Sequence, residues 1–561
     1  MRVVVTAIAL LLASCATPPD ASHASREYYG TLEPFAAEAV YFLLTDRFVD
    51  GDPTNNFPEQ GGGPDTRTFD RPIHVPGYEP ANMGYLGGDF KGVLDNAAYI
   101  ADMGFTAIWT TPIVDNPDEA FTGSRVPGRG PGGDRGKSGF HGYWGVNFFV
   151  VDEHLESEGL TFADFTRELG DRHDLKYVLD VVCNHGSPAY TMPADQPDFG
   201  ELYDAEGQLV ADHQNLHPSE LDPDNPLHAF YNREPGLGEL SDLNENNPEV
   251  LDYFVAAYSQ WLDQGVDAFR IDTIAHMPHA YWKAFSDRIR EKRPGLFMFS
   301  ENFAYDANAI APNTWPENGK ISVLDFPGKE AMNRVFADGG NYGELADYLH
   351  LESGLYENPY DLMTFYDNHD MDRMNADPNG FIDANNWLFT SRGIPVVYYG
   401  SEIGFQAGTN EHTGNRNYFG QDNIDRAKSH PIQVALSRIA NIRKHSIALQ
   451  RGLQVYTGFG PRSASFFRAY QKDGVRQTAL VLLNGGDEAV TMEFGQLPAQ
   501  GTWTDAVTGQ VVEVGEDFAG LVEEIAPHSL RVYLSDEPIT NPAFLELLDD
   551  AQAAKARRKR P

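Results

Sequence analysis

From Ala39 onward, short apolar runs alternate with stretches in which apolar residues recur every three or four positions. The runs are AVYFLL, TAIWT, YVLDVV, DAFRI, LFMFS, SVLDF, LMTFY and PVVYY. Each has the length and near-continuous hydrophobicity of a strand buried on both faces. The stretches between them, such as Val250–Leu262, Tyr281–Arg290 and Ile432–Lys444, carry helical spacing. Eight such alternations predict an α/β fold, a parallel (β/α)8 TIM barrel rather than an open doubly wound sheet. Almost every run ends in polar, reactive residues: Asp46-Arg47, Asn184-His185, Asp272, Glu301, His369-Asp370 and Glu402. Barrel sites form where strands end at their C-terminal side, so one site is expected to collect all of them.

The periodicity breaks in two places. Residues 186–240, rich in Pro, Asp, His and Asn, read as a domain inserted after strand 3; the Gly-rich stretch Val114–Phe140 reads as a loop near the cleft. After about Gly452 the pattern becomes alternating, with SFFRAYQ, TALVLLN, TWTDAVTG and SLRVYLS, which predicts a C-terminal all-β sandwich. The expected division is a signal segment over 1–15, a linker over 16–38, barrel over 39–185 and 241–450 around the inserted domain at 186–240, the β-sandwich over 451–536, and a frayed tail over 537–561. The tail ends in KARRKRP, a basic cluster that could touch anionic lipid.

Charge and cysteine content narrow the functional classes. With 82 acidic against 42 basic residues and a formal charge of −40, non-specific nucleic-acid binding is excluded. Such acidity favours divalent cations, although a merely soluble acidic surface reads the same way. Arg2 precedes an apolar run, Val3–Leu12, too short to span a bilayer, and Leu12-Ala13-Ser14-Cys15 is similar to the lipobox of bacterial lipoproteins. A lipid-anchored protein on the periplasmic or cell-surface side of a bacterial membrane is expected, a plain secretory signal being the alternative. Cys15 and Cys183 are the two cysteines, so an acylated or removed Cys15 leaves no intrachain disulfide.

Two carboxylates about 5 Å apart across a scissile bond suffice for glycoside hydrolysis through a covalent intermediate. Neighbouring strands four and five would place Asp272 and Glu301 in that relation, as nucleophile and acid/base. Arg270, two residues before Asp272 and on the same strand face, would keep that carboxylate ionised. Glu301 follows Leu296-Phe297-Met298-Phe299, and desolvation there would raise its pKa towards general-acid work.

These residues resemble the signatures of a known family. Asp180-Val181-Val182-Cys183-Asn184-His185, Phe269-Arg270-Ile271-Asp272 with His276, Phe299-Ser300-Glu301 and Phe365-Tyr366-Asp367-Asn368-His369-Asp370 are similar, in order, to four regions of glycoside hydrolase family 13, the α-amylase family. Ser241-Asp242-Leu243-Asn244 is similar to its fifth region, and Gly393-Ile394-Pro395 through Gly400 and Glu402 to the region at its eighth strand. The resemblance runs from about Val40 to Tyr470. It implies an α-glucan substrate, with Asp370 holding hydroxyls of the sugar at the cleavage point. His185 and His369 would hydrogen-bond that sugar, and Tyr143, within His141-Gly142-Tyr143-Trp144, would stack on it. It also implies two Ca2+ sites. One would use Asn184, Asp242 and the main-chain carbonyl of His276; the other Asp50, Asp52, Asn55, Asn56, Asp89 and the Gly87 carbonyl, all oxygen donors that suit a hard cation.

Within the family, Ile321–Met374 and the second metal motif look most like cyclodextrin glucanotransferases. Gly238 stands where those have an aromatic, Ala275 where they have a lysine, and one β domain follows the barrel. Hydrolysis of α-1,4 bonds by a monomeric retaining α-amylase is therefore expected. A cyclomaltodextrinase or neopullulanase-type hydrolase, a cyclodextrin glucanotransferase, and a non-enzymatic glucan-binding lipoprotein are the alternatives. Asn147 departs from the family's usual Asp.

Overall fold

The computed structural model describes residues 26–63, 66–72, 81–123 and 136–556. The signal segment and Cys15 lie outside them, as do most of the KARRKRP cluster and residues 124–135 of the Gly-rich loop.

Eight parallel strands form the centre: β1 (Val40–Leu43), β2 (Ala107–Thr110), β3 (Lys176–Val181), β4 (Ala268–Ile271), β5 (Phe297–Ser300), β6 (Ser322–Val323), β7 (Met363–Thr364) and β8 (Ile394–Tyr398). Their spatial order is β6-β5-β4-β3-β2-β1-β8-β7, and a parallel bridge from Leu324 to Met363 joins the two remaining edges into a nearly closed barrel. Every residue of β1, β2, β4 and β5 is buried, as expected of strands covered by the barrel interior on one side and helices on the other. The crossover helices start at local signals. Thr161 and Asp164 form a reciprocal capping box at Phe162–His173, and Asn247 caps Pro248–Asp263, whose proline takes a position where no N–H is needed.

The insertion is built differently from the expected self-contained stretch. Its four-stranded sheet pairs Val114–Asp115 with Asn147–Val151, and these with Glu201–Tyr203 and Leu209–Asp212, so half of its strands precede strand 3 in sequence. A short ladder between His185–Pro188 and Leu240–Asp242 ties the segment's two ends together at the barrel rim. Asn147, at the family's Asp position, holds this sheet by donating to the Asp204 carbonyl at 3.2 Å.

The C-terminal unit has a six-stranded antiparallel sheet running from Leu453–Phe459 to Val511–Val514, faced by the pair Val490–Phe494 and Leu521–Ile525. Two expectations at the ends of the chain are corrected. The segment expected to be a frayed tail forms a helix, Pro542–Lys555, that buries Phe544, Leu545 and Leu548 against Phe467 and Trp503. The expected linker contributes Tyr28 to that core, bridged to Gln471, and its hydroxyl donates to Asp549 at 2.9 Å. Apolar side chains at helical spacing decide the matter, whatever the charge of the final residues. Among the described residues, no helix is long and apolar enough to cross a membrane.

Candidate active site

Strand register sets the centre of the site. Ile271 of β4 pairs with Ser300 of β5, so Asp272 and Glu301, each one residue further on, leave the barrel side by side. Their backbone N–H groups continue the ladder, Asp272 to the Val181 carbonyl and Glu301 to that of Ile271. Arg270, fully buried, bridges them: Nη1 donates to Asp272 Oδ1 at 2.7 Å, and Nη2 lies 3.1 Å from Glu301 Oε2. One guanidinium spanning both carboxylates holds them well within about 10 Å, the limit for a shared sugar ring. The same Nη1 donates to Asp180 Oδ1 at 2.7 Å, and Asp180 is fixed in turn by Trp109 Nε1 at 3.0 Å and the Tyr143 hydroxyl at 2.9 Å. Asp180 was missed as a site residue, though an acid inside the apolar run YVLDVV was the signal.

Glu301 is pushed well above the usual carboxylate range by burial, with Arg270 opposing and Asp370 and Asp272 reinforcing the shift. Its Oε1 is buried without a hydrogen-bond partner. A carboxyl that keeps its proton to higher pH than usual, with an oxygen not engaged by the protein, suits a general acid.

Asp370 closes the third side. Its Oδ2 lies 3.2 Å from His369 Nε2, which also meets the Tyr143 hydroxyl at 2.8 Å. The Tyr143 ring stacks near those of His369 and His141, centroids 5.4 and 5.8 Å away. Burial holds His369, His141 and His185 below the ordinary imidazole value, so the three rings are neutral near pH 7 and can each donate and accept. The structure does not gather everything the sequence suggested. Trp144 packs against Phe121, Met192 and Phe199 beneath the inserted sheet, supporting His141 edge-on. Glu402 turns inward to accept from the hydroxyls of Tyr41 and Tyr99 at 2.7 and 2.8 Å. Asp46 and Arg47 pair with each other at 2.8 Å and bind main chain at Asn82, Gly84, Leu86 and Gly87. These strand ends carry fold-building contacts because a buried carboxylate needs donors, supplied by tyrosine hydroxyls for Glu402 and by Arg47 and the backbone for Asp46.

One residue outside any expected motif borders the same space. Arg416 pairs with Asp370; Phe303, two residues after Glu301 in sequence, packs its exposed ring against Tyr305 and Phe326. Arg416, in an irregular loop, left no signal in the sequence.

The residues of the two cation sites also converge. Asn56 Nδ2 donates to Asp50 Oδ2 at 2.9 Å, whereas Asp50 Oδ1, Asn55 Oδ1 and Asn56 Oδ1 are buried without partners. Gly87, at φ +89°, approaches so closely that a Cβ there would stand 2.4 Å from Asn56 Oδ1. Asp89 is raised to about 6 by burial and by Asp50, although it accepts from the Gly92 and Asp52 amides. Several buried oxygens lacking donors fit a hard cation. Asp52 stands at the rim with Oδ1 engaged by Thr54. At the second site, Asn184 and Asp242 flank the short ladder at the barrel rim. Asp242, raised by burial, accepts from Asn232 at 2.8 Å, and His276 ends the turn Ile274–His276 nearby. This donor set also is oxygen only.

A barrel of eight parallel strands whose C-terminal rim gathers three acids around one buried guanidinium defines the class of protein. Residues 42–431 match the family described as "Alpha amylase, catalytic domain", and the chain belongs to the α-amylase family. It is 30% identical over 502 residues to a cyclomaltodextrin glucanotransferase of Thermoanaerobacterium thermosulfurigenes, covering 85% of this chain and 64% of the relative. It is likewise 30% identical over 440 residues to an α-amylase of Niallia circulans, covering 74% and 75%. The chain thus spans roughly half to two thirds of the glucanotransferases it matches. Among solved structures, it is similar to CldA, a cyclomaltodextrin glucanotransferase with a three-domain ABC distribution. That match has TM-score 0.70 and 28% identity over 89% of this chain and 99% of that one. An α-amylase from Geobacillus thermoleovorans in complex with acarbose gives TM-score 0.67 and 25% identity over 89% and 98%.

Proposed function

We propose that the protein hydrolyses α-1,4-glucosidic bonds of starch and maltodextrins with retention of anomeric configuration. The observation that carries this reading is the single Arg270 guanidinium bridging Asp272 and Glu301. Asp272 attacks the anomeric carbon while Glu301 protonates the departing glycosidic oxygen. Glu301 then takes a proton from water as that water displaces Asp272. Asp370, His369 and His185 bind hydroxyls of the reacting sugar, and Tyr143 supplies its stacking face. Hydrolysis is favoured over transfer by two positions where a sugar acceptor would be held. Gly238 is exposed with nothing within 4 Å of a Cβ built on it, and Ala275 is exposed on the turn after β4. The single β domain carries no weight in this choice, because CldA joins glucanotransferase activity to three domains.

Asp50, Asn55, Asn56, Asp89 and the Gly87 carbonyl would hold one Ca2+, with Asp52 at its edge. Asn184, Asp242 and the His276 carbonyl would hold the other. The cations would cross-link loops and tie the inserted segment to the barrel, taking no part in the chemistry. A product profile on starch, pullulan and β-cyclodextrin tests the reading. Linear maltooligosaccharides from starch are expected. Fast cyclodextrin opening would move the assignment to the cyclomaltodextrinase type, and cyclic products would refute hydrolysis. The same protein treated with a calcium chelator is expected to lose about 5 °C or more in Tm, restored by Ca2+. An unchanged Tm would remove the cations from the proposal.

We further propose that Cys15 carries a lipid that anchors a monomeric enzyme outside the cytoplasm, on the strength of Leu12-Ala13-Ser14-Cys15. Cys15→Ser is expected to move the protein from the membrane fraction to the soluble one; equal partitioning of the variant and the parent would reject the anchor.

A further inference from the structure

Resting on that reading and deepening it, we infer that Arg416 is a positioning residue for Asp370 and that Glu411 tunes it. Arg416 would set the orientation and protonation of Asp370, with Glu411 as the counter-charge that shares its guanidinium. Asp370 is the least confined of the three acids, its side chain 29% exposed against 6% for Asp272 and 7% for Glu301. It therefore needs a restraint that packing does not supply. Arg416 Nη2 pairs with its Oδ1 at 2.5 Å, and Arg416 Nε donates to the His369 carbonyl at 3.0 Å. The guanidinium is thus anchored to the backbone turn that carries Asp370. Its Nη1 lies 3.0 Å from Glu411 Oε1, which lies 3.6 Å from Lys137 Nζ.

The arrangement repeats the logic of Arg270 on the opposite side of the site. Each arginine divides its donors between acids assigned to the chemistry or to the sugar and one given no such role: Asp272 and Glu301 against Asp180 for Arg270, and Asp370 against Glu411 for Arg416. The acid without such a role fixes the guanidinium, and the others are held without receiving the whole of its charge. Arg416 and Glu411 come from one segment, the turn Glu411–Asn415 and the residue after it. Gly414 permits that turn at φ +129°. Arg416 is only 9% exposed at its side chain, so water screens these pairs little.

The opposed charges predict a signature that loss of packing cannot imitate. Burial raises the Asp370 carboxyl, Arg416 lowers it, Glu411 raises it, and Arg270 lowers it. Glu301, His369 and Tyr143 also face it. In Arg416→Gln the lowering influence is lost, so Asp370 keeps its proton to higher pH. The acid limb of kcat/KM on soluble starch should then move up by about one pH unit. In Glu411→Gln the raising influence is lost, and the limb should move down by a smaller amount. Arg416→Gln should also lose about 10- to 100-fold in kcat, with little change in KM, and Arg416→Lys should restore part of the rate and the wild-type limb. Should Arg416→Gln fail to fold, Arg416→Lys and Glu411→Gln still read the limb. Shifts of the same sign, or none, in proteins with wild-type melting curves would overturn the inference while leaving the glucanase reading intact. If the wild type itself releases no sugar from starch, the glucanase reading falls instead. Crystal structures then decide the inference: an Asp370 carboxylate turned away from His369 in Arg416→Gln but not in Glu411→Gln supports it, and one unmoved in both refutes it.

Discussion

Replacing Asp272 by asparagine should lower kcat on soluble starch by about four orders of magnitude and leave the fold intact. The size of the loss follows from the role: an amide oxygen of the same shape is a poor nucleophile. Intact folding follows from the contacts. Removing one carboxylate from a buried arginine normally leaves an uncompensated charge and costs several kcal/mol. Here Arg270 keeps Asp180 at 2.7 Å and Glu301 at 3.1 Å, so its charge stays compensated. The variant should therefore melt within a few degrees of the parent and bind maltooligosaccharides with nearly unchanged affinity. A 5-fluoro-α-glucosyl fluoride, which reacts quickly but leaves the enzyme slowly, should add one sugar mass to the parent at the Asp272 peptide and none to the variant. Activity within tenfold of the parent would show that another group attacks.

Much of this arrangement was legible in the sequence, for a definite reason. A parallel strand buried on both faces is apolar almost throughout, Arg270 in β4 and Asp180 in β3 being the buried exceptions here, and most of its polar residues wait until it ends. AFRI followed by Asp272 and FMFS followed by Glu301 therefore announce both the strand and its chemistry. What strand ends do not announce is direction. Glu402, four residues beyond the end of IPVVY, turns inward to Tyr41 and Tyr99, from segments far away in sequence. Its partners are defined only once the barrel has closed. The inserted sheet was misjudged for a related reason: Val114–Asp115 and Asn147–Val151 are too short for their alternation to register, and their pairing with Glu201–Tyr203 is set by tertiary packing. Arg416 lies in a polar loop without periodicity, and only the folded chain brings it to Asp370. The C-terminal helix ends in a basic cluster typical of a frayed tail, yet Phe544, Leu545 and Leu548 form an apolar stripe of helical spacing.

Substitution of Glu301 by glutamine should separate two kinds of substrate. On starch the leaving group is a sugar alkoxide, which needs a proton as it departs, and loss of the general acid should reduce kcat/KM about 10^3-fold. On 2,4-dinitrophenyl α-maltoside the leaving group is stable without a proton, so formation of the glycosyl-enzyme should proceed at close to the parent rate. Hydrolysis of that intermediate still needs a base, and a burst of dinitrophenol followed by slow turnover is expected. Azide, a nucleophile with no proton to remove, should abolish the slow phase and give a glycosyl azide of retained configuration. The pH dependence carries the same assignment. Burial raises the Glu301 carboxyl well above its ordinary range, which keeps the acid form present as pH rises and places activity loss on the alkaline side. The glutamine variant cannot lose that proton, so the alkaline limb on starch should disappear along with the rate. An equal loss on both substrates, or an alkaline limb that survives the substitution, would mean that the proton comes from elsewhere.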